Sequence, residues 1–244
     1  MGTPGTYKNI TYIDYKSMYT KILLGVYPSG TPVYTENVSS LTTPGFYYVT
    51  VKSLDPGNTL PHRRCGTTEY TTGCFSGLYW HEELLRFTHR GGCLVEIQSA
   101  WLYDCNSQTP FKKLANDCIA WRTESALSNR LYKNIPNTLI GWLSYDNLLS
   151  GDIRRNIAIP LIVAARGRML WGDLKLQVES AGGIVVYGDT DSVFVKDLPA
   201  EYTIDVDKYN TEVMPTFVLK SKKNYTYVSH SGGTISKGPS TAQN

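Results

Sequence analysis

The sequence predicts an α+β fold: an antiparallel sheet with packed helices, a short helical hairpin and a small inserted subregion. Three observations predict it. Runs rich in β-branched and aromatic residues stand near both ends, "YKNITYIDY" from Tyr7 to Tyr15 and "IVVYGDTDSVFV" from Ile184 to Val195. The second of these is two apolar runs around a tight knot of small and acidic residues, which is a hairpin signal and therefore an antiparallel one. Helical spacing is confined to the middle of the chain, within residues 79–92, 111–144 and 159–179.

In chain order, the strand from Tyr7 ends near Asp14, and Pro/Gly-rich stretches follow, "YPSGTPVY" and "TTPGFYY". A strand is predicted from Phe46 to Val51, then a turn-rich polar segment between Gly57 and Gly77. "YWHEELLRFTHRGG" has the spacing of a short helix with Leu84, Leu85 and Phe87 inward and Gly91 as its stop. A strand from Leu94 to Leu102 closes this part. From Phe111 two consecutive helices are expected, the second with Lys133 and Asn137 four apart on one face. Pro136 lies inside that second pattern and is expected to kink or end the helix. An amphipathic helix from Ile159 to about Glu179 is predicted to turn Leu161, Ala165, Leu170 and Leu174 inward.

Composition narrows the class without naming a function. The 244 residues are 41% hydrophobic, enough for a core without staples, and the net charge of +3 neither requires nor excludes a polyanionic partner. Five cysteines with no C-x-x-C spacing argue against a zinc cluster and a full disulfide framework, and for a reducing intracellular compartment. The longest apolar run, "IAIPLIVAA", falls far short of the ~20 residues of a membrane span, so no membrane partner is expected. Eighteen tyrosines suit either base and sugar stacking or plain strand packing.

The hairpin tip carries the chemistry. Asp189 and Asp191 stand one residue apart, and side chains so spaced on an extended chain share a face, placing two like charges together. Gly-Asp-Thr-Asp is also ordinary turn material. As a functional feature, the pair supplies the hard oxygen ligands that Mg²⁺ prefers, with Asp14 as a third carboxylate from another strand.

"DYKSMY" (Asp14 to Tyr19), "KNIPNTLIG" (Lys133 to Gly141) and "YGDTDS" (Tyr187 to Ser192) resemble, in order and spacing, motifs A, B and C of family B DNA polymerases. "KKNY" (Lys222 to Tyr225) resembles that family's K-x-Y motif. "YPSGTPVY" and "TEYTTGCFSGLYWHEEL" resemble the protein-primed branch found in phages, viruses and linear plasmids. The resemblance implies a polymerase palm at 1–63 and 151–235, an insertion at 64–110 that docks a terminal protein, fingers at 111–150, and a disordered tail at 236–244.

It also implies roles. Asp14 and Asp191 would bridge two Mg²⁺ ions, for which Mn²⁺ can substitute, with Asp189 a secondary ligand and the Tyr15 carbonyl completing one site. Ser17, Lys133, Asn137 and Arg122 would face the incoming deoxynucleoside triphosphate, with Arg130 a further phosphate contact. Tyr19 would pack under the sugar and exclude a 2′-hydroxyl. Thr190, Gly141, Lys223 and Tyr225 would contact primer-template DNA. Lys133 equally fits a solvated helix lysine, and Tyr19 a core tyrosine.

Departures from the pattern are Thr138 for Ser, Ile140 for Tyr and "SMYT" for S-L-Y-P, and Pro136 precedes Asn137. The chain begins about one strand before motif A and stops soon after K-x-Y, so the expectation is a palm-and-fingers core without the family's exonuclease and with little thumb. The expected activity is DNA-directed DNA polymerisation in viral or linear-plasmid replication. The alternative is a weak or inactive remnant that binds DNA or a terminal protein. An RNA-directed enzyme fits less well, because such palms usually place adjacent aspartates at the tip.

Overall fold

The computed structural model describes residues 2–122, 125–144, 157–229 and 232–238. The sequence-predicted elements that fall on 145–156 and 239–244 lie outside the described residues. The backbone divides into two compact units, Met1–Met18 with Leu170–Asn244, and Tyr19–Met169. The motif A strand and the motif C hairpin share one unit, while residues 19–63 fall in the other.

The first unit is built on strand β1 (Gly5–Tyr15). In its six-stranded antiparallel sheet, β1 lies between β11 (Ser192–Lys196) and β12 (Tyr209–Ser221), with β10 (Ile184–Asp189) outside β11 and β13 (Asn224–Val228) and β14 (Thr234–Lys237) beyond β12. Ser236 and Lys237 therefore belong to a paired strand, not to a disordered tail. Tyr225, opposite Lys237, supplies the buried ring against which that strand packs.

The register between β1 and β12 is constant, with one position unpaired. Asn9, with φ +53°, and Pro215 drop out between the pairs Lys8↔Thr216 and Ile10↔Met214. Pro215 has no N–H to give the ladder. The far part of the sheet returns over the near part, so that Phe217 of β12 stacks on Phe194 of β11 at 4.4 Å between centroids. Ile10, Val186, Tyr187, Phe194, Met214, Phe217, Leu219 and Tyr225 form this buried cluster. Its rings lie 4.4–6.3 Å apart in offset and edge arrangements that suit aromatic quadrupoles.

The second unit contains helices α1 (Met18–Leu23), α2 (His81–His89), α3 (Lys112–Trp121) and α4 (Ala126–Ser144), and the first half of α5 (Ala158–Ser180); both unit boundaries fall inside helices. Its main sheet has the order β3-β8-β4-β7, from Val33–Thr35, Cys93–Leu102, Gly45–Ser53 and Gly73–Trp80. Two-stranded pairs join β2 (Tyr27–Ser29) to β9 (Cys105–Gln108) and β5 (His62–Arg64) to β6 (Thr67–Glu69). On β4 the odd positions Tyr47, Val49 and Val51 are fully buried, against Phe75, Tyr79, Leu84 and Phe87. Strands β3 and β4, which precede residue 64, thus share a sheet with β7 and β8.

Several local expectations are corrected. The polar segment before Gly77 is already strand from Gly73. In α2, Leu84 and Phe87 turn inward but Leu85 is 45% exposed; the buried neighbour is Glu83, which is neutralised by an arginine. In α5, Leu161 is 42% exposed while Ile162 and Val163 are buried, and Leu170 is half-buried. Pro136 does not end α4, which runs on to Ser144. One missing N–H in a 19-residue helix removes one bond from a long ladder, and the ring is buried rather than solvated. Among the described residues no helix is long and apolar enough to cross a membrane.

Candidate active site at the motif A and motif C strands

Asp14 lies at the end of β1, paired across the ladder with Ser192 on one side and Asn210 on the other. The next backbone N–H, that of Tyr15, donates to the carbonyl of Asp191 at 2.9 Å. Two aspartates from distant parts of the sequence are thereby held on adjacent backbone positions of one sheet. The Asp14 carboxylate is oriented from both sides: the Tyr12 hydroxyl donates to Oδ1 at 3.2 Å and the Asn210 amide to Oδ2 at 3.4 Å. Tyr12 stays protonated, since burial first and the Asp14 charge second both push its hydroxyl up.

The tip of the motif C hairpin differs from simple strand alternation. Asp191 N–H donates to Asp189 C=O at 2.6 Å around Thr190, whose φ is +54°. This is a three-residue turn of the γ kind, in a left-handed conformation that a β-branched residue seldom adopts. The two aspartates are therefore not same-face neighbours on an extended strand. Asp189 instead directs Oδ1 toward Lys223 Nζ at 3.3 Å and accepts from the Thr190 hydroxyl at 3.2 Å. Among the described residues, no group of three or more His, Cys, Asp and Glu side chains is arranged to hold a metal ion.

Packing from behind fixes the hairpin. Trp171 of α5 donates its indole N–H to the Ser192 carbonyl at 3.0 Å, and Ser192 Oγ donates to the Asp189 carbonyl at 3.1 Å. Gly188 is required by this approach, since a Cβ there would meet the Trp171 ring at 2.3 Å. Tyr15 presents its ring to Tyr209 edge-on at 5.1 Å, with the Lys208 ammonium over both rings.

The K-x-Y residues reach this site because the sheet folds over. Lys223, at φ +58° in the β12–β13 turn, donates its backbone N–H to the Tyr187 hydroxyl at 2.8 Å. Tyr225 is 1% exposed, its ring packed among Tyr187, Phe194 and Phe217, so its structural part is packing. Ser17, within motif A, has φ +55°.

The remaining candidates belong to the other unit. Tyr19 is half-buried in α1. On α4, Lys133 and Asn137 are both exposed, as is Gly141 with open space around its Cα. Arg122 caps α3 and donates to Asn129 Oδ1 at 3.1 Å, while Arg130 is exposed. Tyr12, Asn210 and Trp171 are site-building residues that motif spacing alone did not single out. Only Tyr12 carried a signal, two positions before Asp14 on the same strand face.

No protein-family model and no curated relative matches this sequence. Among solved structures, Phi29 DNA polymerase in complex with primer-template DNA and incoming nucleotide substrates superimposes with a TM-score of 0.73, at 15% identity over 97% of this chain. The chain shares its fold with the half of Phi29 DNA polymerase that it matches. The primer-template binary complex of Phi29 polymerase gives 0.68 at 15% identity, and the complex with single-stranded DNA 0.67 at 13%. In each case the chain spans 49% of the Phi29 polymerase. The sequence resemblance to the protein-primed family B branch is thus met at the level of fold, with antiparallel sheets and packed helices as expected.

Proposed function

We propose that this chain is the core of a DNA-directed DNA polymerase, adding deoxynucleotides to a primer or priming-protein hydroxyl in the replication of a viral or linear-plasmid DNA. One observation carries the reading: the Asp14 and Asp191 backbones meet at the end of the sheet, through the Asp14↔Ser192 pair and the Tyr15 to Asp191 hydrogen bond. A Phi29-type fold with its motif A and motif C aspartates so joined supports a reading of nucleotidyl transfer.

The donor set fits a hard divalent cation. Asp14 and Asp191 offer carboxylate oxygens, the Tyr15 carbonyl a neutral one, and Tyr12 and Asn210 hold Asp14 without using up its lone pairs. Bound there, two Mg²⁺ ions would lower the pKa of the primer hydroxyl and neutralise the triphosphate. Lys133 on α4 would neutralise the incoming triphosphate, with Asn137 one turn later beside the nascent base pair. Tyr19 would close on the sugar, and Lys223 would hold the primer backbone.

The second reading, a module that binds DNA or a terminal protein without extending a primer, is favoured by one feature. Asp189 is engaged by Lys223 rather than turned toward Asp14. Primer extension in Mg²⁺ or Mn²⁺, with Asp191→Asn alongside, separates the two. Metal-dependent extension by the wild type that is lost in Asp191→Asn supports the enzyme. Binding retained with no extension at any metal concentration establishes the second reading.

A further inference from the structure

One row across the main sheet of the second unit holds two thiols and an amine. Lys52 of β4 pairs with Cys74 of β7 on one side and with Cys93 of β8 on the other, and all three residues are exposed. Direct cross-strand partners have Cβ atoms about 4.5–5.5 Å apart, so the Lys52 ammonium is within reach of either sulfur. The two cysteines stand two strand spacings apart, about 9–10 Å, which exceeds the ~7 Å that a disulfide spans. Oxidation therefore cannot close them on each other, and both are free thiols.

Cys74 has a second setting that Cys93 lacks. It stands in the wall of a cavity of about 320 Å³ beside the β5–β6 hairpin, with His62, Arg64, Glu69, Thr71 and Thr72. That volume lies within the range of small-molecule pockets, about 300–1,000 Å³. Glu69 lies opposite His62 on the hairpin ladder, while Arg64 lies opposite Thr67 and has no acidic cross-strand partner.

We propose that Cys74 is a thiol-modification site that forms mixed disulfides with carboxylate-bearing low-molecular-weight disulfides, of which oxidised glutathione is the test case. The Cys74 sulfur attacks as thiolate at one sulfur of the disulfide. A new S–S bond forms as the old one breaks, and the other half leaves as a thiolate that takes up the proton Cys74 has lost. The disulfide is itself the oxidant, so none other is needed. In the transition state negative charge is spread over three sulfurs. Lys52 beside Cys74 and Arg64 in the cavity wall are cations placed to stabilise that charge and to hold the carboxylates of the ligand. Among the described residues the other exposed cysteines have only part of this setting: Cys93 has Lys52 without the cavity, and Cys65 adjoins Arg64 in the β5–β6 turn, outside the Lys52 row.

The test incubates the full chain with oxidised glutathione, and separately with neutral dithiodipyridine, and times the adduct at each cysteine by peptide mass spectrometry. Cys74 is expected to react several-fold faster than Cys93 and Cys65 with oxidised glutathione, and to lose that lead with the neutral reagent. Lys52→Met slows the glutathione adduct at both Cys74 and Cys93, whereas Arg64→Gln slows it at Cys74 and leaves Cys93 unchanged. Added KCl narrows the lead in the wild type, a measurement that needs no variant. Buried Cys118 reports on folding, since an adduct there marks an unfolded chain; if Lys52→Met shows one, Lys52→Gln and the salt series decide. Equal rates at Cys65, Cys74 and Cys93 with oxidised glutathione overturn the site, as does a lead of the same size with both reagents. A Cys74 rate untouched by Lys52→Met, with Cys118 unlabelled, overturns it too. None of these outcomes depends on primer extension, so the polymerase reading stands or falls separately.

Discussion

The indole N–H of Trp171 donates to the backbone carbonyl of Ser192 at 3.0 Å, tying α5 to the motif C hairpin two residues from its tip turn. Gly188 leaves the room for that ring, and a Cβ would stand 2.3 Å from Trp171 Cζ2. Gly188→Ala is expected to destabilise the fold by about 1–3 kcal/mol through overpacking against a ring that cannot swing aside. Denaturant midpoints measure it. A midpoint equal to wild type would show that the ring can leave Ser192 without cost.

Two adjacent bidentate pairs hold α2 to the first half of α5. Arg168 grips Glu83 at 2.7 and 2.8 Å, and Arg166 grips Glu82 at 2.8 and 2.6 Å. They differ in burial, since the Glu83 side chain is 5% accessible and that of Glu82 28%. Removing either carboxylate leaves its arginine without compensation, and Arg166 at 13% accessible is the more buried of the two, against 33% for Arg168. Glu83→Gln and Glu82→Gln are each expected to lose about 1–3 kcal/mol. A loss confined to one variant would show that only that pair holds α2 to α5.

Acid sensitivity follows from the same corner. His81 is 9% exposed, and burial first, then Arg166, hold its pKa below the ordinary value of about 6.5 against the opposing pull of Glu82. As pH falls through about 6.5 the unfolded chain takes up a proton that the folded one refuses, so stability declines from there downward. Glu82 is held below the ordinary glutamate range: burial opposes this, but the Arg166 guanidinium wins. Its contribution is present above about 4.3 and lost as pH falls below that toward the folded value. Unfolding midpoints from pH 8 to 3 are expected to show both declines, with His81→Gln removing the upper and Glu82→Gln the lower.

Tyr19 carries the expectation of sugar discrimination. If its ring packs under the deoxyribose, Tyr19→Ala admits a 2′-hydroxyl and raises ribonucleotide incorporation relative to deoxynucleotide, with little effect on metal requirement. Single-nucleotide extension with the two substrates measures the ratio. A wild type that already prefers ribonucleotides would overturn the assignment.

Much of the architecture was legible because it is written in local signals. The β1 strand, the Ile184–Lys196 hairpin and the helices after Phe111 each announce themselves by period, turn residues or length. What stayed hidden depends on contacts between residues far apart along the sheet. No local pattern says that Lys223 will stand 3.3 Å from Asp189 when β12 runs away from Asp14 along the ladder. The same is true of Lys237, whose polar strand reads as tail until Tyr225 is known to lie beneath it. Leu85 and Glu83 exchange their expected burial because an arginine far along the chain neutralises the glutamate, which α2 alone cannot reveal. At the hairpin tip, period-two reasoning failed because Thr190 takes a left-handed turn.

Asn210 and Tyr12 test the site most directly, because among the described residues they touch Asp14 and no other acidic side chain by hydrogen bond. Each donates to a different oxygen of the carboxylate, at 3.4 and 3.2 Å, and so restricts its rotation about the strand axis. Such orienting partners typically change metal affinity or activity by 10–100-fold when removed. Asn210→Ala is expected to raise the Mg²⁺ concentration needed for half-maximal extension by about 10-fold, leaving the affinity for primer-template unchanged. Tyr12→Phe keeps the ring 5.0 Å from Phe194 and removes only the hydroxyl, so the core stays intact while Asp14 loses one restraint. The double variant is expected to fall further than either single one, because the carboxylate is then free at both oxygens. An unchanged metal requirement in the double variant would mean that Asp14 does not act through a bound cation. A loss of DNA affinity instead would place these residues at the strand and not at the metal.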